Sequence, residues 1–245
     1  MDQYSGTSRR RFERIQLNES VPESSAMFLG VEALWEDTSR SSVFDMSYTG
    51  MALAPPSTFT AQKGEKLKLR LKLGDHPPVD LEVEVMWVKK DVMGVSFHAI
   101  SSEGRLLFNH FLDDKLLGAE LHLVSPKLYG SDMDCTYWFQ GIGDTNVYVW
   151  TEKATGASEV IKELRVELDD YYLVYRNGVV AEVGGGVSEG GFHAKYGEIT
   201  AEVDVKELAA REKEFVGRVV SLLSQMGSLT ESLNPVLDKL SQLEM

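Results

Sequence analysis

The sequence predicts a mainly β protein: a small antiparallel barrel closed by one helix, then a smaller α+β region with a β-meander and two C-terminal helices. Three observations predict it. Short runs of alternating apolar and polar residues, separated by turn signals, fill the first half of the chain; alternation with period two is the mark of strands with one face in a core. A single segment of helical spacing follows them. Late in the chain the apolar period changes again, from two to nearly four.

In order, the alternating runs are residues 26–35, 50–54, 66–73, 79–89 and 94–99. Behind them the Ser101-Ser102 pair offers a serine to cap a helix in which Leu106, Leu107, His110 and Phe111 recur at helical spacing. Together these make a first domain of residues 1–117. Residues 118–245 form the second region, with a sheet over about 118–202. Its strands are predicted at 147–150, 161–168 and 171–183, the last folded into a hairpin at Asn177-Gly178, the dipeptide favoured by type I′ turns. The glycine-rich residues 184–191 read as a loop or hinge. Helices are expected over about 204–226, carrying Leu208, Phe215, Val219, Leu222 and Met226, and over about 229–243, with Pro235 as a kink or restart.

Composition narrows the function. The chain has 245 residues, 43% of them hydrophobic and 26% charged, which is ample for cores and argues against disorder. The net charge is -13, and it is unevenly shared: 14 Lys+Arg face 17 Asp+Glu up to residue 117, and 11 face 21 beyond it. A long nucleic acid would meet a repulsive field, so nucleic-acid binding is not expected. The single cysteine, Cys135, has no partner for a disulfide or a zinc cluster. No run approaches the ~18 apolar residues of a membrane span, and no apolar leader opens the chain, so a cytoplasmic protein without membrane insertion is expected.

Catalytic patterns are missing. His76, His98, His110, His122 and His193 have no metal-ligand spacing, and no nucleophile elbow or phosphate loop of the Walker type occurs. The expectation is a protein that is not an enzyme, with no catalytic residue, no metal and no resident cofactor.

Two local motifs carry the chemistry. The first is Arg9-Arg10-Arg11-Phe12-Glu13-Arg14, which contains RxxxR at Arg10 and Arg14. Guanidinium is planar, permanently charged and forked, so one residue type can grip phosphate, pair with O6 and N7 of guanine, and stack on a purine. The second is Asp45-Met46-Ser47-Tyr48-Thr49-Gly50, a DxSxxG. Its carboxylate can accept from the N1 and N2 donors of guanine, its hydroxyl can donate and accept, and its glycine permits close backbone approach. An ordinary turn between strands explains the same residues equally well.

Taken in order, these motifs and the strands behind them resemble a PilZ domain over about residues 8–115. The likeness rests on RxxxR, DxSxxG running into Met51-Ala52-Leu53, a glycine-led strand at 64–73, Val85-Met86-Trp87, Gly94-Val95-Ser96-Phe97 and the closing helix. The resemblance implies a six-stranded antiparallel barrel and a non-catalytic receptor for the bacterial second messenger cyclic di-GMP. It implies that Arg10 and Arg14 hold phosphates and guanine edges, that Asp45, Ser47 and Gly50 form the facing wall, and that Arg9 and Arg11 are secondary contacts. The 31 positions between Arg14 and Asp45 exceed the usual family spacing, and the excess is expected in the polar stretch 36–42. The function expected on this basis couples nucleotide binding to a change in the N-terminal arm and in the arrangement of the two regions, and passes the signal to a protein partner. The alternative is an adaptor of the same fold that ignores the nucleotide and acts through its C-terminal helices, including as a homodimer.

Overall fold

A computed structural model describes residues 14–17, 30–56, 59–60, 62–74, 76–129, 133–153, 159–169, 171–185, 210–226 and 229–244. They divide into two compact units between Leu116 and Leu117.

The first unit contains β1 (Ile15–Gln16), β2 (Val31–Leu34), β3 (Arg40–Ser47), β4 (Gly50–Leu53), β5 (Lys66–Leu73), β6 (Val79–Lys89) and β7 (Val92–Ile100). Six of these pair antiparallel in a ring, β3-β2-β5-β6-β7-β4 and back to β3, so the sheet closes on itself and leaves no open edge. The two-residue β1 is added on β3, beside the place that β2 occupies further along the same strand. Alternation drives closure: Leu69, Leu71 and Leu73 of β5 and Leu81, Val83 and Val85 of β6 point inward and are buried, while the charged residues between them stay outside.

Helix α1 (Ser102–Ala119) follows the last strand. Ser101 caps it, accepting at its hydroxyl from the amide of Gly104 at 3.0 Å. Phe108, Phe111, Leu112 and Leu116 join the barrel core, and Phe108 meets Phe97 edge-on at 5.2 Å. The apolar stripe is thus displaced by about one position from the expected one. Leu106 is 73% exposed and His110 is exposed, whereas Phe108 and Leu112 are fully buried. The stretch 36–42 also differs from expectation. Residues 36–39 make a tight turn, in which Trp35 and Ser39 exchange a backbone bond and Thr38 takes a positive φ of 67°, and Arg40 already begins β3. The extra spacing between the motifs is not a long loop at this place.

The second unit is a meander. β8 (His122–Leu123), β9 (Tyr137–Gln140), β10 (Asn146–Lys153), β11 (Glu159–Leu168), β12 (Tyr171–Arg176) and β13 (Val179–Gly185) lie side by side in chain order, with α2 (Pro126–Tyr129) between the first two. Asn177 and Gly178 both take the positive φ that a type I′ hairpin requires, 51° and 88°. Gly184 and Gly185 belong to β13 and not to a loop. Gly184 faces Tyr172 across the strands, and a Cβ there would come within 2.7 Å of the phenol ring. Residues 186–209, which contain the rest of the glycine-rich segment, His193, the expected end of the sheet at 202 and the expected start of the helix at 204, lie outside the described residues.

Helices α3 (Ala210–Leu223) and α4 (Thr230–Glu244) cover one face of this sheet. Phe215, Val219, Leu222, Leu233, Leu237 and Leu240 pack with Val147, Val149, Leu164, Val166 and Leu173. The leucines at helical spacing are therefore spent on the unit's own core. α4 continues through Pro235 without a restart, because Pro235 sits on the exposed face, where water can serve the freed carbonyl. On the opposite face of the sheet Arg165 clasps the buried Glu167 carboxylate at 2.8 Å, and burial, reinforced by a bond donated to Glu182, pushes the Tyr172 hydroxyl up to about 12.

Phe108→Ala removes the largest fully buried side chain of the first unit and is expected to cost about 3–5 kcal/mol in urea unfolding. A loss under about 1 kcal/mol contradicts the described packing of α1.

Candidate functional site

Ile15 decides where the site forms. Its side chain is completely buried in the barrel core, opposite Met46, and Leu17 donates its amide to the Phe44 carbonyl at 2.8 Å. Strand alternation then turns the preceding residue, Arg14, to the outer face, where Asp45 also points. Arg14 donates from Nη1 to Asp45 Oδ1. The two motifs, 31 positions apart in sequence, meet here.

The side chains of Arg14 and Asp45 are 20% and 18% exposed, so the pair is sheltered yet reachable. It uses one guanidinium nitrogen and one carboxylate oxygen. Oδ2 and the remaining guanidinium donors have no other side-chain partner among the described residues, which leaves them available to a ligand without breaking the pair.

Ser47 and Gly50 form the end of the β3–β4 hairpin and pair directly with one another. The Ser47 hydroxyl is buried, donates to the Gly50 carbonyl at 3.3 Å and accepts from the Thr49 amide at 3.4 Å, so the motif is a hydroxyl-braced turn. Gly50 is required by close approach to β7: a Cβ there would lie 2.3 Å from the Val95 carbonyl oxygen. Two bonds tie the turn to α1. Tyr48 donates its hydroxyl to Asp113 at 2.6 Å, and Arg105 donates to the Tyr48 carbonyl at 3.4 Å.

Beside Asp45 the registers build a floor. Asp45 pairs with Ala52, Ala52 with Gly94 and Gly94 with Trp87, a single row across β3, β4, β7 and β6 spanning about 14 Å. The two middle residues are small, and the indole of Trp87 lies over Gly94, where a Cβ would come within 2.2 Å of the ring. A cavity of about 600 Å³ opens on this row, lined by Phe44, Asp45, Ala52, Trp87, Lys89 and Val92. Simple alternation after Val83 and Val85 would send Trp87 inward. A bulge between Val85 and Trp87 turns it out, leaving it 39% exposed, and a second bulge, between Val43 and Asp45, puts Asp45 on the outer face. Periodicity alone conceals the outward turn of both Trp87 and Asp45.

Of the residues that the sequence singles out, the structure brings together Arg14, Asp45, Ser47 and Gly50. Arg9, Arg10 and Arg11 lie outside the described residues. Among the described residues there is no group of three His, Cys, Asp or Glu side chains fit for a metal ion, and no helix is long and apolar enough to cross a membrane.

Comparison with known proteins matches residues 8–114 to the family described as PilZ domain. A crystal structure of an uncharacterized Legionella protein aligns with 13% identity and a TM-score of 0.31 over 42% of this chain and 98% of that one, a likeness too slight to carry an argument. No curated protein matches the chain.

Gly50→Ala is expected to cost about 1–3 kcal/mol in urea unfolding, because the new Cβ would meet a backbone oxygen that cannot move without opening β4 from β7. Wild-type stability would contradict the close approach of these strands.

Proposed function

We propose, from the premise that residues 8–114 are a PilZ domain, that this protein is a cyclic di-GMP receptor whose ligand is held between the arginine arm and the β3–β4 turn. PilZ domains are receptors of this kind in general and not enzymes. The observation that carries the reading is the meeting of Arg14 with Asp45 beside a floor of small residues.

The chemistry fits the messenger's parts. Arg10 and Arg14, with Arg9 and Arg11 as further cations, supply forked donors for the phosphates and for guanine O6 and N7. Asp45 accepts from the N1 and N2 donors of guanine, Ser47 and Gly50 complete the turn that faces the base, and Trp87 offers an aromatic wall to a purine. No cofactor takes part. A polar, partly open site of this type is expected to bind at about micromolar strength, about 8 kcal/mol, after the arm has been fixed.

Binding becomes a signal when the arm settles on the ligand and the turn stiffens. Tyr48 carries that stiffening to α1 through its bonds with Asp113 and Arg105. The altered helix and arm then change what a protein partner meets, and coupling to the arrangement of the second region follows the same route.

Arg10→Ala, Arg14→Ala and Asp45→Ala are each expected to weaken cyclic di-GMP binding tenfold or more by isothermal calorimetry, with higher salt weakening the wild type. Wild-type affinity in Arg14→Ala would refute the assignment, and a wild-type melting temperature that ignores the nucleotide would favour the adaptor. In hydrogen exchange, cyclic di-GMP is expected to slow the amides of residues 102–116. Tyr48→Phe should keep binding within about threefold and lose that slowing; equal slowing in both proteins would remove Tyr48 from the route.

A further inference from the structure

A cation outside both motifs faces the same space as Asp45. Lys89, the last residue of β6, lines the cavity of about 600 Å³ together with Phe44, Asp45, Ala52, Trp87 and Val92. It lies two residues beyond Trp87 on the same strand, and it pairs in register with Val92 at the end of the hairpin. Among the described residues its ammonium has no ion pair or hydrogen bond. The other charged side chain that lines the cavity is Asp45, which Arg14 engages.

Charge balance gives this position a role. The Arg14–Asp45 pair is neutral as a unit, so its field on an incoming anion is that of a dipole and falls off quickly with distance. A cyclic dinucleotide carries two phosphodiesters, each with a full negative charge and strong acceptor oxygens. Lys89 adds an uncompensated positive charge at the Trp87 end of the row, away from Arg14, with three donors on a stem long enough to reach a phosphate above the floor. Arg14 and Lys89 therefore stand at opposite ends of the Asp45–Trp87 row, one engaged with Asp45 on β3 and one beyond Trp87 on β6.

We propose that Lys89 is a phosphate-contacting residue of the nucleotide site, a contact that the RxxxR and DxSxxG motifs do not include. The assignment rests on the receptor reading above. It makes the ligand span the row from Arg14 to the hairpin instead of sitting on Arg14 alone.

The test is calorimetric titration of the full chain with cyclic di-GMP at two salt concentrations, comparing wild type with Lys89→Gln, Lys89→Arg and Lys90→Gln. Lys90 is the next residue of the same hairpin and does not line the cavity, so it controls for the general field. Lys89→Gln is expected to weaken binding about three- to tenfold at low salt and to flatten its salt dependence, with Lys89→Arg and Lys90→Gln within about twofold of wild type. Wild-type affinity and salt response in Lys89→Gln would overturn the contact while leaving the receptor reading intact. Equal weakening in Lys90→Gln would also overturn it, by showing a diffuse field. Absence of binding by the wild type would instead overturn the receptor reading, and this inference with it.

Discussion

The burial of one residue, Ile15, organises the first unit's outer surface. With its side chain in the barrel core, worth about 1.5–3 kcal/mol, the short β1 has one register on β3. A slip of one residue would expose Ile15 and bury Arg14, an exchange far more costly than two backbone bonds can offset. The Arg14 guanidinium is thereby held beside the carboxylate of a motif distant in sequence. Removing that anchor would leave Arg14 without a fixed place beside the turn.

The barrel supplies the other half of the site by what it omits. Side chains larger than alanine are absent from the middle of the Asp45–Ala52–Gly94–Trp87 row, and bulges at each flank turn Asp45 and Trp87 toward it. A closed sheet has little freedom to open, so such a surface is preorganised. Acidity elsewhere in the chain is compatible with anion binding, since the relevant field is local and screened beyond about 10 Å at 0.1 M salt.

Much of this was legible in the residues. Alternation marked β5 and β6, the serine pair at 101–102 marked the start of α1, and Asn177-Gly178 marked the last hairpin. The meeting of Arg14 with Asp45 could be expected only through family resemblance, because no local pattern encodes a contact between residues so far apart. Bulges defeated the period-two rule at Trp87, where one extra residue inverts the direction of those that follow. Leu106 misled for a similar reason: the helical face is set by what the barrel leaves uncovered, and Phe108 fills that space better. The polar stretch after Trp35 looked like a loop because Ser41 is a polar inward-facing residue, buried through a bond from the Trp35 indole at 2.8 Å. In the second unit the meander was partly visible, but β8 and β9 are too short and mixed to announce themselves.

The most direct measurement is an isothermal titration of the full chain with cyclic di-GMP, run beside GTP as a control for general affinity toward guanine and phosphate. The account predicts saturable binding near micromolar for the cyclic dinucleotide and none for GTP at the same concentrations. No heat with cyclic di-GMP, or an equal response to GTP, would contradict it.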